Sequence, residues 1–197
     1  MMKSLLLPAL ILLCLLCISC QTGNNKDMAS AYAAQAIDEL HQGNSLLSAE
    51  LFSKALLLEP QSVAHRYNLG LALLASQDYE QTLILVDESL LLFPYHQRFL
   101  LLKARVLKEQ DNKSEALKVY AQLFEENPGS YELQALVMQQ ALDWGFREEA
   151  EALALRLLSA HQQEEQALLA LEQLQGPNSW PAFILRYLRE ETATKEL

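Results

Sequence analysis

From residue 29 to about residue 164, apolar residues recur at helical spacing, and prolines interrupt them on a fixed interval. Pro60, Pro94 and Pro128 are evenly spaced on a 34-residue period, and each closes a Leu-rich stretch. Within the stretches the apolar positions follow a helix face, as in Tyr67, Leu71 and Leu74 at i, i+4 and i+7. A helical pattern with a stop at so regular a spacing predicts a series of helical hairpins. None of these can bury its own apolar face, so each must stack on a neighbour. Alternating runs of β-branched residues are missing, so the expected fold is all-α.

Beyond Glu164 the register fades. Glu165 to Leu174 predicts one short helix, and Gly176-Pro177-Asn178 a stop and turn. Ser179 and Pro181 suit a second helix start. Trp180, Phe183, Ile184, Tyr187 and Leu188 then share one apolar face, with Arg186, Arg189, Glu190 and Glu191 on the other side. The expected role of that helix is a polar-backed cap on the end of the array, with a free docking helix as the alternative. The last residues, 192–197, are expected to fray.

The 34-residue units carry a residue pattern as well as a period. They run without gaps over 29–62, 63–96, 97–130 and 131–164. The second contains Asn68-Leu69-Gly70, Asp78-Tyr79 at the turn and Pro94 at its end. The first has Tyr32, Gly43, Phe52, Ala55 and Pro60; the third has Ala104, Ala116, Tyr120 and Pro128. The fourth keeps Gly145 and Ala150 but has Gln162 in place of the proline. This pattern resembles the tetratricopeptide repeat (TPR), whose unit reads W-x2-L-G-x2-Y, A-x3-F, P. The resemblance implies an α-solenoid of four TPR hairpins over 29–164, followed by capping helices over 165–197. Small residues recur at two sites expected to face each other across each hairpin: Ala36, Gly70, Ala104 and Met138 at one, Ser48, Thr82, Ala116 and Ala150 at the other. Small side chains there let two helices approach closely. Met138 breaks the rule, so the fourth hairpin is expected to be splayed or shifted.

The resemblance also implies a binding surface. In TPR proteins the first helix of each hairpin lines a concave groove. The corresponding residues here include Ile37 and His41 from the first repeat, and Tyr67, Leu71 and Leu74 from the second. The third supplies Arg98, Leu101, Arg105 and Lys108, and the fourth Gln139. Tyr67, Leu71 and Leu74 make an apolar stripe, and Arg98, Arg105 and Lys108 a basic one. Together they suit an extended or helical peptide with an apolar anchor and acidic groups. The apolar stripe fits a seam against the neighbouring helix equally well, and the basic stripe a solvated surface. The carboxylate clamp of some cytosolic relatives is not reproduced. Asn68 and Arg98 match two of its positions, but Ala33, Ile37 and Leu102 occupy the other three.

The N-terminal segment, up to Cys20, reads as an address. Lys3 precedes an almost unbroken apolar run from Leu5 to Ile18, too short to span a bilayer and right for a secretory signal core. The run ends in Cys17-Ile18-Ser19-Cys20, which resembles the lipobox of bacterial lipoproteins. That resemblance implies a signal peptide over 1–19, cleavage before Cys20 and acylation of Cys20, with 20–28 as the lipidated residue and a polar tether. The match departs at Cys17, where most lipoboxes have Leu. Gln21, in place of the Asp that favours inner-membrane retention in enteric bacteria, implies the outer membrane and a periplasm-facing chain. Cys14, Cys17 and Cys20 are the only cysteines. A CxxC metal or redox pair is the competing reading, disfavoured because two of the three lie inside the apolar core.

Charge and motifs narrow the function. The 197 residues carry a formal net charge of −10, which argues against nucleic acid because no basic stripe offsets the acid. His41, His65, His96 and His161 are scattered, without HExxH, nucleophile-elbow, Walker or Rossmann patterns. The expectation is therefore not an enzyme, with no cofactor beyond the covalent lipid on Cys20. It is a lipid-anchored adaptor that holds a protein partner of the cell envelope. A transport-associated lipoprotein that binds a small ligand is the alternative.

Overall fold

The structure, a computed structural model, describes residues 24–195. The signal segment over 1–19 and the lipidation site Cys20 lie outside the described residues. Among those described, the chain is all-α. Its helices are α1 (24–41), α2 (Ser45–Leu58), α3 (Val63–Ala75), α4 (Tyr79–Leu92) and α5 (Gln97–Glu109), then α6 (Lys113–Glu126), α7 (Tyr131–Asp143), α8 (Arg147–Ser159), α9 (Glu164–Gln175) and α10 (Trp180–Lys195). The period survives in three dimensions. Helices α3, α5 and α7 begin at Val63, Gln97 and Tyr131, and α2, α4, α6 and α8 at Ser45, Tyr79, Lys113 and Arg147, all on the 34-residue interval. Two expected ends differ. Asn24, Asn25 and Lys26, read as tether, are the first turn of α1, and α10 runs on to Lys195. Both extensions follow from helix cooperativity, since each added residue gains a hydrogen bond once the nucleus exists.

One local device ends the first helix of four hairpins, and His161, with φ of 53°, repeats it at the end of α8. Gly43, Gln77, Asp111 and Gly145, which recur on the same interval, all take the left-handed conformation, with φ of 86°, 63°, 59° and 82°. Around each, the same two backbone bonds form. The N–H groups of Gly43 and Asn44 donate to the carbonyls of Leu40 and Glu39, and those of Gln77 and Asp78 to Leu74 and Leu73. Asp111 and Asn112 repeat the pair on Lys108 and Leu107, and Gly145 and Phe146 on Leu142 and Ala141. This is the Schellman closure, which satisfies carbonyls that a helix end would otherwise leave orphaned. Asp78 then caps α4 by accepting from the Gln81 N–H at 3.1 Å, and Ser62 caps α3 by accepting from His65.

The chain forms two compact units, one ending at Val106 and one starting at Leu107, so the boundary falls inside α5. In the first unit, α1, α2 and α3 bury Ala33, Ala36, Phe52, Ala55, Leu69 and Ala72 in one cluster. Ser48 on α2 donates its hydroxyl to the Ala36 carbonyl on α1 at 2.8 Å, so these two small positions do face each other across the hairpin. Gly70 does something different. A Cβ there would sit 2.6 Å from Leu102 Cδ2, so its missing side chain makes room for α5 of the following repeat as well as for its own partner helix. A second cluster joins Leu74, Val86, Phe99, Leu102 and Val106.

In the second unit, α7, α8 and α9 share Ala135, Met138, Ala154, Leu157, Ala167, Ala170 and Leu171. Met138 is fully buried there and the fourth hairpin is in register. The expected splaying does not occur, because Ala154, Ala167 and Ala170 leave the volume that the longer side chain fills. The two helices expected after residue 164 are present, and the side of the second that packs differs from expectation. Helices α9 and α10 start at Glu164 and Trp180, each one position short of a full period after α7 and α8, so they form a fifth hairpin. α10 packs on α9 through Ala182 and Leu185, leaving Trp180, Phe183, Ile184, Tyr187 and Leu188 exposed, with Phe183 at 67%. Periodicity identifies an apolar face but not whether a neighbour covers it. Here the smaller Ala182 side permits the closer approach.

Candidate partner-binding faces

In the first unit, the residues expected to bind come from α1, α3 and α5, the first helices of three hairpins. Their placement follows helix geometry: Tyr67, Leu71 and Leu74 lie along one stripe of α3, and Arg98, Leu101 and Arg105 along one stripe of α5. The apolar stripe divides. Leu74 is 7% exposed and belongs to the core cluster with Phe99 and Leu102, whereas Tyr67 and Leu71 pack against that cluster and stay half-buried. One end of the stripe is thus a seam and the other is open. Ile37 and His41 are exposed on α1, and Leu101 is half-buried on α5.

The two stripes meet at Tyr67. Its ring lies edge-on to Phe99, with centroids 6.4 Å apart, and the Arg98 guanidinium carbon sits 5.5 Å over its centroid. Phe99, fully buried, stacks in turn with Phe93 at 6.3 Å and lies tilted against His96 at 4.9 Å. This aromatic underlay fixes the Tyr67 ring, and the ring's negative face holds the arginine. Charge pairing distinguishes the two sides of α5. Lys103 is joined to Asp87 of α4 at 2.8 Å. Arg98 and Arg105 have no carboxylate partner among the described residues, so their charges are available to a ligand.

Lys108 and Gln139 fall in the second unit. Lys108 is exposed near the end of α5. Gln139 is exposed on α7, where its amide nitrogen donates to Asp143 Oδ1 at 3.0 Å. It edges a recess of about 420 Å³ lined by Glu132, Ala135, Leu136, Met138 and Gln139 of α7 and by Gln166 and Leu169 of α9. Sequence reasoning misses Leu136 because it falls off the groove positions of the fourth repeat, and misses Gln166 and Leu169 because the repeat pattern fades at Glu164 and α9 reads as part of a cap. The near-period offset of α9 from α7 is the signal that could find them.

Among the described residues, the groups with displaced pKa values, Tyr120 and Lys54, are not part of either face. The Tyr120 hydroxyl, buried on α6, is raised above the ordinary tyrosine value by desolvation. The Lys54 ammonium is raised by its hydrogen bond to Glu50, then by that carboxylate's charge. Among the described residues, no helix is long and apolar enough to cross a membrane.

Stacked helical hairpins on a 34-residue interval, with turn chemistry repeated at fixed positions, define an all-α helical-repeat fold of the tetratricopeptide kind. A crystal structure of a tetratricopeptide repeat protein from Parabacteroides merdae is similar to this chain, with a TM-score of 0.65 and 21% identity over 85% of this chain and 68% of the other. No family model and no curated protein matches the chain.

Proposed function

We propose that this chain is a non-catalytic, lipid-anchored adaptor of the bacterial cell envelope, held at the outer membrane through acylated Cys20 and facing the periplasm. It takes a protein partner on the α1–α3–α5 face of its first unit. One observation carries the reading: Arg98 lies over the half-buried Tyr67 ring and Arg105 follows it along the same stripe of α5, neither with a carboxylate partner among the described residues, on a fold whose first helices line binding surfaces in its relatives. A partner segment with an apolar anchor and acidic groups satisfies both features, since a desolvated carboxylate pairs strongly with arginine and the anchor completes the apolar patch. The overall charge of −10 makes nucleic acid an unsuitable ligand.

The test is in-cell cross-linking of the full chain followed by mass spectrometry. Tyr67→Ala and Arg105→Glu are expected to lose the same specific partner while the helical circular dichroism signal is kept. Retention of every partner by both variants would show that the face is misassigned. The anchor is tested separately: Cys20→Ser should move the chain from the membrane fraction to the soluble fraction.

A further inference from the structure

The recess between α7 and α9 differs in chemistry from the face of the first unit. Its floor is the buried pair Ala135 and Met138, and its walls are Leu136 and Leu169, which remain 55% and 39% exposed. Its volume of about 420 Å³ lies in the usual range for binding cavities, roughly 300–1,000 Å³. Two leucines left that exposed in a dent with an apolar floor are the expected signature of a pocket that receives an apolar side chain.

The polar rim selects what accompanies that side chain. Glu132 has no cationic partner among the described residues, and no Lys or Arg lines the recess. α9 opens on Glu164 and Glu165, which adds charge of the same sign at that helix end. Gln166 offers an amide, and Gln139 keeps its carbonyl free while its nitrogen is engaged by Asp143. The Glu132 carboxylate and the Gln139 carbonyl therefore give the rim its negative, accepting character beside an apolar floor, and the complementary ligand brings a donor with positive charge.

We infer that this recess is a second docking site, and that it takes a protein segment presenting an aliphatic side chain next to a Lys or Arg. The site is independent of the first-unit face, whose unpaired charges have the opposite sign.

The experiment selects peptides from a displayed random heptapeptide library on the full chain and on three variants: Leu136→Glu, Glu132→Lys and Tyr67→Ala. All three positions are surface or half-buried, and circular dichroism checks that each variant folds. The expected result is a set of peptides with Leu, Ile or Met beside Lys or Arg, bound about tenfold more weakly by Leu136→Glu and unchanged by Tyr67→Ala. Glu132→Lys is expected to invert the selected charge to Asp or Glu. Several outcomes overturn the inference: no sequence enriched over the Leu136→Glu control, a selected charge indifferent to residue 132, or binding that depends on Tyr67 alone. A dimer of the wild-type chain that Leu136→Glu dissolves in sedimentation would assign the recess to a second copy instead, and would also overturn it. Because the cross-linking test reads Tyr67 and Arg105, either site can fail without the other.

Discussion

The first helices of the two units are built on one template and carry opposite chemistry. Arg98 and Glu132 occupy the same position in successive repeats, as do Arg105 and Gln139. In the first unit that face stacks an arginine on a tyrosine. In the second the same face borders a recess with a lone carboxylate and two amides. Positions between these residues hold the hairpins together: Ala104 and Met138, also one repeat apart, are both buried. The contrast separates two classes of position, with packing constraining one and leaving the other free to set charge. It also explains how a chain 21% identical to another can share its fold.

The largest expected effect probes whether the units hold themselves together separately. Phe99→Ala removes the centre of the aromatic cluster under Tyr67 and should cost about 3–5 kcal/mol, and Leu157→Ala about 2–5 kcal/mol. Hydrogen exchange followed by mass spectrometry should show Phe99→Ala loosening chiefly α3–α5 and Leu157→Ala chiefly α7–α9. Equal loss of protection in both halves for either variant would show that the two units unfold as one.

A smaller effect sharpens the charge contrast. Exchanging the two sides, with Arg105→Gln and Gln139→Arg in one chain, should weaken retention of the first-unit partner about tenfold, at little cost to the melting temperature because both positions are exposed. Unchanged retention would mean that Arg105 is solvated surface. The turns give a finer comparison. Gly145→Ala should cost about 1 kcal/mol, since a Cβ is disfavoured at φ of 82°, whereas Gln77→Ala should be close to neutral because a side chain is already tolerated there. Urea titration resolves the two.

The smallest effect is confined to the second unit. Tyr120 has a raised pKa, so the stability its neutral ring contributes is complete below the ordinary tyrosine value of about 10. That contribution is lost as pH rises through the folded-state value. Tyr120→Phe should therefore flatten the alkaline end of the stability profile, measured by thermal melts above pH 9, and leave neutral pH nearly unchanged.

Most of the fold was legible from the sequence because two signals coincided, a helical apolar period and a stop at one constant spacing. Helix starts at Val63, Gln97 and Tyr131 follow from them directly. What remained hidden was decided by neighbours. Gly70 looks like half of a hairpin contact, yet the tightest approach it permits is to Leu102 of the next repeat. Met138 looks too large for its position until three alanines are found around it. On α10 the strongest apolar pattern, from Trp180 to Leu188, lies on the open side, and the modest pair Ala182 and Leu185 makes the contact. For the candidate face, spacing alone placed Tyr67 beside the arginines. It could not tell that Leu74 turns into the core while Arg98 settles on the tyrosine ring.

The left-handed residue at each of these four hairpin corners has a wider meaning. Glycine fills it in two hairpins, glutamine and aspartate in the others, yet the backbone bonds that close the turn are the same in all four. A substitution at the corner shifts stability slightly, whereas one residue inserted or deleted inside a helix would rotate the remainder of that helix by about 100° and turn its packing side away from its neighbours.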